Sequence, residues 1–222
     1  MKKKTAGWAR WAVLAAAVVL IAAFCRVTVV WDDTAEAGAD AHLSVAEKYC
    51  LANWETKMVP AIRERAGDAA TVLAAAKADL GAAGDKYGAR ENQTSAWNFC
   101  LKGEAQVIGI ENAEKASKTR LVIDLLPADG TPDALIQWSS VIKTNAIRDS
   151  VGFLKLDGFA NQVEFAELTR AFNARIQQDL ITKLSAASLA DKKVSFVGCV
   201  ALTKAGDAAN IEIIPIELSE VG

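Results

Sequence analysis

The sequence predicts an α+β protein with an N-terminal membrane helix, a small helical subdomain and a β domain interrupted by one long helix. Three observations predict it. A charge-free apolar run lies near the N-terminus behind a cluster of lysines. Apolar residues then recur at spacings of three and four, the period of a one-sided helix. After Gly88 the chain changes to strand-like runs separated by polar or Pro/Gly-containing turns.

The first segment is residues 1–31. Met1-Lys2-Lys3-Lys4 is positively charged, and Trp11 to Cys25 carries neither a charge nor a helix breaker. Arg10 and Arg26 bracket the run. Positive charge ahead of an apolar stretch keeps that end in the cytoplasm and sends the rest across. The run is shorter than the ~20 residues of a usual span. Trp8 and Trp31 at the two interfaces, with snorkelling arginines, extend it. Cys25 stands where a bacterial lipoprotein carries its lipidated cysteine, behind Phe24 rather than a small residue. An uncleaved anchor, a lipidated Cys25 and a cysteine that merely fills an apolar helix all remain open, with a cleaved export signal as rival. Each puts the body outside the cytoplasm. Residues 32–42 are small and acidic and read as a tether.

Residues 43–88 read as a helical subdomain. Leu43, Ala46, Cys50, Trp54, Met58 and Ile62 form one stripe, with a kink or local end expected at Pro60. Gly67-Asp68 breaks and recaps the chain. Ala69, Val72, Leu73, Ala76 and Leu80 form a second stripe, ended by Gly81 and Gly84.

Residues 89–222 read as the β domain. Strands are expected at Trp97–Ile110, Thr119–Leu126 and Ala134–Ile142. A helix follows from about Val163 to Leu184, burying Phe165, Leu168, Phe172, Ile176, Leu180 and Leu184. Two more strands occupy Val194–Thr203 and Ile211–Leu218. The change from Ile211/Ile213 to Ile214/Ile216/Leu218 predicts a bulge near Ile213 or Ile214. Three strands, a helix and two strands is the order of a five-stranded OB-like barrel, whose helix joins strands three and four.

Composition narrows the function. Hydrophobic residues make up 52% of 222, enough for a real core. The net charge of −2 comes without a basic stripe, so nucleic acid is not an expected partner. The cysteines are Cys25, Cys50, Cys100 and Cys199, with no C-x-x-C pair, and His42 is the sole histidine. That inventory does not supply a metal site. No nucleophile elbow or Walker loop is present, and no cofactor is expected. On the oxidising side of a membrane Cys50 and Cys100 either bond to each other or remain two buried thiols. Cys199 reads as core.

The distinctive segment runs from Thr144 to Ala166. Arg148 and Asp149 form a charge pair set among apolar residues. Arg148 offers a planar fork for a carboxylate, phosphate or sugar hydroxyl. A structural ion pair that fixes the loop is the weightier reading. Asn161 reads as the N-cap of the long helix, with Glu164 completing a capping box. Gln162 has no such duty and is free to line a pocket. Tyr87-Gly88-Ala89-Arg90 marks the join before the β domain, and Arg90 is a further binding candidate. Trp97 and Phe99 read as core rather than as a face that stacks bases or sugar rings, and Trp138 as core or interface.

The run AIRDSVGFLKLDGFANQVEFAEL, with YGAR, WNF and the Trp54–Pro60 spacing, resembles a bacterial family of predicted periplasmic lipoproteins, domain of unknown function 2291. Arg148, Asp149, Gly152, Phe153, Phe159, Asn161 and Gln162 carry the specific part. Where that family usually has Gly-Thr before the apolar-Arg-Asp step, this chain has Thr144-Asn145. The resemblance covers residues from about 43 onward. It implies a helical subdomain on an OB-like barrel. It also implies a non-enzymatic accessory role beside a sugar transporter of the ATP-binding-cassette type, binding a small solute or a transporter component. The alternative is an extracytoplasmic enzyme acting on a carbohydrate or related ligand through Arg148 and Asp149.

Overall fold

The computed structural model describes residues 42–204 and 211–222. The expected membrane helix and nearly all of the tether lie outside the described residues. Among the described residues no helix is long and apolar enough to cross a membrane. Leu43–Gly222 form one compact unit.

The first expected helix is present in two pieces. Helix α1 spans Val45–Asn53 and opens on a true capping box: Ser44 Oγ accepts from the Glu47 amide, and Glu47 accepts from the Ser44 amide. A wider, π-helical turn, Trp54–Met58, leads into α2, Val59–Arg65. Pro60 falls in the first turn of α2, where its missing N–H costs little. The chain is therefore widened before the proline rather than broken at it. The stripe Cys50, Trp54, Met58 and Ile62 stays continuous and buried.

Gly67–Asp68 forms a short strand, β1, before Asp68 caps helix α3, Ala69–Ala78. The second helix breaks at Asp79, not at the glycines. Asp79 caps helix α4, Leu80–Tyr87, which contains both Gly81 and Gly84. Gly84 is there for space. A Cβ on it would lie 2.2 Å from the Trp97 ring.

Strand β2 is Gly88–Ala89 and β3 the long Trp97–Glu111. Strands β4, Arg120–Leu125, and β5, Ala134–Gln137, follow. The third expected strand is thus only half as long as its apolar pattern suggested. Its ending has a local cause: Gln137 and Ser139 both donate to the Val141 carbonyl and bend the chain away. Helix α5 is Ala146–Ser150, and α6 is Gln162–Ile176 with a π-helical extension over Gln177–Ile181, so the long helix ends before Leu184, which is exposed rather than on the buried face. Strands β6, Lys193–Leu202, and β7, Glu212–Glu220, complete the chain.

Pairing runs β3–β4–β5–β7–β6, and β6 pairs again with β3, so the five main strands form a closed circuit. The β5–β7 contact is parallel and the rest of the circuit antiparallel. The expected bulge lies elsewhere in β7. Val197 pairs with Glu217 and Gly198 with Pro215, leaving Ile216 as the extra residue. Ile213 and Ile214 need no bulge between them, because both faces of this strand are covered. Ile213 enters the core inside the circuit and Ile214 the core outside it.

Two cores result. The inner one gathers Phe99, Leu101, Ile123, Ile136, Phe196 and Val200, and α3 closes it with Val72 and Leu73. The outer one packs α1, α2, α5 and α6 on the other face of β3, β6 and β7. Trp54 meets Phe172 there at 5.7 Å between ring centroids. Each fully buried large side chain contributes about 1.5–3 kcal/mol. The two helical stripes of residues 43–88 therefore serve different cores.

Candidate functional site

Helix α5 is short and lies beside α6, and its placement brings Arg148 inside. Thr144 Oγ1 accepts from the Ala146 amide at 3.1 Å and starts the turn. Asn145 Oδ1 accepts from the Thr169 hydroxyl at 3.1 Å and ties α5 to α6. The departure at Thr144-Asn145 thus supplies two structural contacts of its own.

Arg148 is buried. Its Nε donates to Asp149 Oδ1 at 2.6 Å, and its Nη1 donates to the Phe165 carbonyl at 3.3 Å. The guanidinium carbon lies 3.9 Å from the centroid of the Phe165 ring. A desolvated cation over an aromatic face is worth up to about 2 kcal/mol. Phe165 leans on Phe159 at 5.3 Å, and Phe159 meets Tyr49 edge-on at 5.9 Å. The arginine is thus held by a row of rings that reaches α1. Among the described residues Nη2 has no protein acceptor, and it is not sealed from solvent.

Beside that guanidinium is a cleft of about 420 Å³, within the size range of small-ligand sites. Arg148 and Phe165 line it, with Leu156 and Val163 adding apolar wall and Gln162, Arg170 and Glu91 adding polar groups. This lining of two planar cations, with amide, carboxylate and apolar surfaces, suits a small hydroxylated or anionic molecule.

The expected site residues divide accordingly. Arg148 and Gln162 come together in the cleft. Asp149 holds Arg148 from behind and does not line the cleft. Asn161 caps α6, its Oδ1 accepting from the Glu164 amide at 2.9 Å. Glu164 reaches back to the Ala160 amide, one residue before the position a capping box uses. Arg90 sits apart, stacked 4.0 Å over Trp97 and donating to the Gln93 carbonyl. Arg170 and Glu91 were not singled out from the sequence. Arg170 was findable: Val163, Ala166 and Arg170 fall at helical spacing on one face of α6. Glu91 arrives from the other end of the β domain and carried no such signal.

A second groove, of about 430 Å³, lies between α1 and α6 and includes Cys50, Glu47 and Arg175. Burial pushes the Cys50 thiol up to about 11, against a smaller opposing pull from Arg175. Cys50 and Cys100 are both free and buried, and are not bonded to each other. The neighbour of Cys100 is Cys199, which was read only as core. Among the described residues no group of His, Cys, Asp and Glu is arranged to hold a metal ion.

A family model described as Predicted periplasmic lipoprotein (DUF2291) matches residues 14–219. The chain is also similar to the crystal structure of an OB-fold protein from Thermotoga maritima MSB8. That likeness has a TM-score of 0.64 at 18% identity, covering 81% of this chain and 99% of the other. It speaks for the fold alone. No curated protein matches the chain.

Proposed function

The chain belongs to the predicted periplasmic lipoprotein family DUF2291, and from that premise we propose that it is a membrane-anchored, extracytoplasmic binding component of a sugar ATP-binding-cassette transporter. The apolar N-terminal segment is the anchor, with Cys25 as the candidate lipid site, and an OB-like barrel carries the binding face. One observation carries the binding reading: Arg148, buried and held by Asp149 and the Phe165 carbonyl, lines an open cleft, and its Nη2 has no acceptor among the described residues.

The mixture of groups favours a sugar or sugar acid. Arg148 and Gln162 supply donors, Glu91 an acceptor, and Leu156 and Val163 an apolar surface for the ring face. Calorimetric titration of the full chain in detergent, with neutral sugars, sugar phosphates and sugar acids, tests this. Saturable binding to one of these classes is expected, lost in a Gln162→Ala/Arg170→Ala double variant. Binding that survives in that variant would move the site elsewhere. Turnover of a bound sugar, lost in Asp149→Asn, would make the protein an enzyme. Cross-linking in membranes should retrieve transporter subunits with the chain.

A further inference from the structure

Cys100 on β3 and Cys199 on β6 are direct partners in the antiparallel ladder. Their sulfurs lie 3.9 Å apart, with the Cys199 thiol donating to Cys100. The ladder also fixes which kind of pair they form. The Val107 amide donates to the Lys192 carbonyl, one step beyond the Gln106–Lys193 pair. Hydrogen-bonded and open pairs alternate along such a ladder. Counting back by twos puts the odd-numbered residues of β3 at hydrogen-bonded pairs and Cys100 at an open one. Open pairs bring Cα atoms to about 4.5 Å with side chains close, inside the roughly 4.4–6.8 Å range that a disulfide spans.

The surroundings hold both thiols on the outer face. Ser150 Oγ lies 3.1 Å from Cys199 Sγ, and Cys100 Sγ donates to the Ser150 carbonyl at 3.9 Å. Arg65 donates to the same carbonyl at 2.9 Å. Burial pushes the Cys199 thiol well up, while the hydrogen bond from Cys199 holds Cys100 below its ordinary value. Cys50 lies on α1 and lines the groove beside α6.

We propose that Cys100 and Cys199 join as a cross-strand disulfide when the chain folds outside the cytoplasm, stapling β3 to β6. The oxidant is a disulfide of the thiol-exchange class, a protein or small-molecule dithiol couple. The Cys100 thiolate attacks one oxidant sulfur, and the first oxidant thiol leaves. The Cys199 thiol gives up its proton, and its sulfur displaces the second oxidant thiol from Cys100. Two S–H bonds are lost, one S–S bond forms, and the oxidant takes up the electron pair as two thiols. The step belongs to folding, before α5 and α2 cover the pair, because both thiols are buried afterwards. The extracytoplasmic reading enters only as the source of oxidant, and the experiment separates the two.

The full chain is reduced, unfolded and refolded in detergent in a glutathione redox buffer, then alkylated and digested without reductant. The expected result is one linked peptide pair containing Cys100 and Cys199, with Cys50 alkylated. On adding reductant, the melting temperature should fall by roughly 10 °C, the effect of opening a staple that closes a loop of about a hundred residues. A Cys199→Ala chain should show Cys100 alkylated and no shift with reductant. Free Cys100 and Cys199 after refolding would overturn the proposal, as would a Cys50–Cys100 pair. The same mapping on chain isolated from cells tests location: a bonded pair in buffer but free thiols in cells supports the pairing and overturns the extracytoplasmic reading.

Discussion

The Arg148 guanidinium carbon lies 3.9 Å from the centroid of the Phe165 ring while its Nε binds Asp149, so one side chain joins α5, α6 and the wall of the cleft. The Asp149 carboxylate is mostly buried, and Arg148 is its ion-pair partner. Arg148→Ala would leave that carboxylate uncompensated. It should destabilise the domain by about 3–5 kcal/mol, the cost of removing one member of a buried pair. Denaturant unfolding measures it. A loss below about 1 kcal/mol would mean that water reaches Asp149 and the pair is not structural.

Gly84 gives a second test of packing. Its Cα faces the Trp97 indole so closely that any Cβ would overlap the ring. Gly84→Ala should therefore cost about 1–3 kcal/mol through overpacking, despite alanine's better helix propensity. Restoring stability in a Gly84→Ala/Trp97→Val double variant would locate the clash at the ring. A stabilised single variant would show that α4 shifts freely.

This pair also shows what the sequence could and could not reveal. Gly84 reads as a helix stop, because the reason for it, Trp97, lies in another element. The strand positions were legible where apolar residues alternate, as Val194, Phe196, Val200 and Leu202 do in β6. The position of the β7 bulge was not. Consecutive Ile213 and Ile214 look like a slip of register when only one face is assumed to be covered, and here both are. In the cleft, Gln162 stood out as a polar group without a local duty, and Arg148 as half of a charge pair set among apolar residues. Glu91 reaches the cleft by tertiary placement alone, and so does the meeting of Cys100 with Cys199 across the sheet.

Export fixes the side of the membrane on which the body lies. A reporter active only in the cytoplasm, fused after Gly222, should give no signal, and one active only outside should give full signal. The opposite pattern would refute the anchor assigned to residues 1–31 and the binding role that depends on it.

Burial disfavours the Cys50 thiolate and pushes the thiol up to about 11. Its proton is held more tightly in the folded chain than in the unfolded one. The stabilisation it contributes is therefore fully present below the ordinary thiol value and lost as pH rises through about 11. Cys50→Ala should flatten that alkaline part of the stability curve. At pH 8 iodoacetamide should modify folded Cys50 roughly tenfold or more slowly than an exposed cysteine. Equal rates would place the thiol in solvent.

Arg148→Lys separates the two duties of this residue. Lysine keeps the positive charge, so Asp149 remains compensated, and melting should stay closer to wild type than in Arg148→Ala. Lysine lacks the planar fork. It cannot bind Asp149, bond the Phe165 carbonyl and present a third donor to the cleft at once. Affinity for the sugar-class solute should therefore fall by roughly tenfold or more, about 1.4 kcal/mol, with the fold retained. Unchanged affinity would show that the uncommitted nitrogen of Arg148 does not contact the solute. The binding role of the cleft would then have to rest on Gln162 and Arg170 alone.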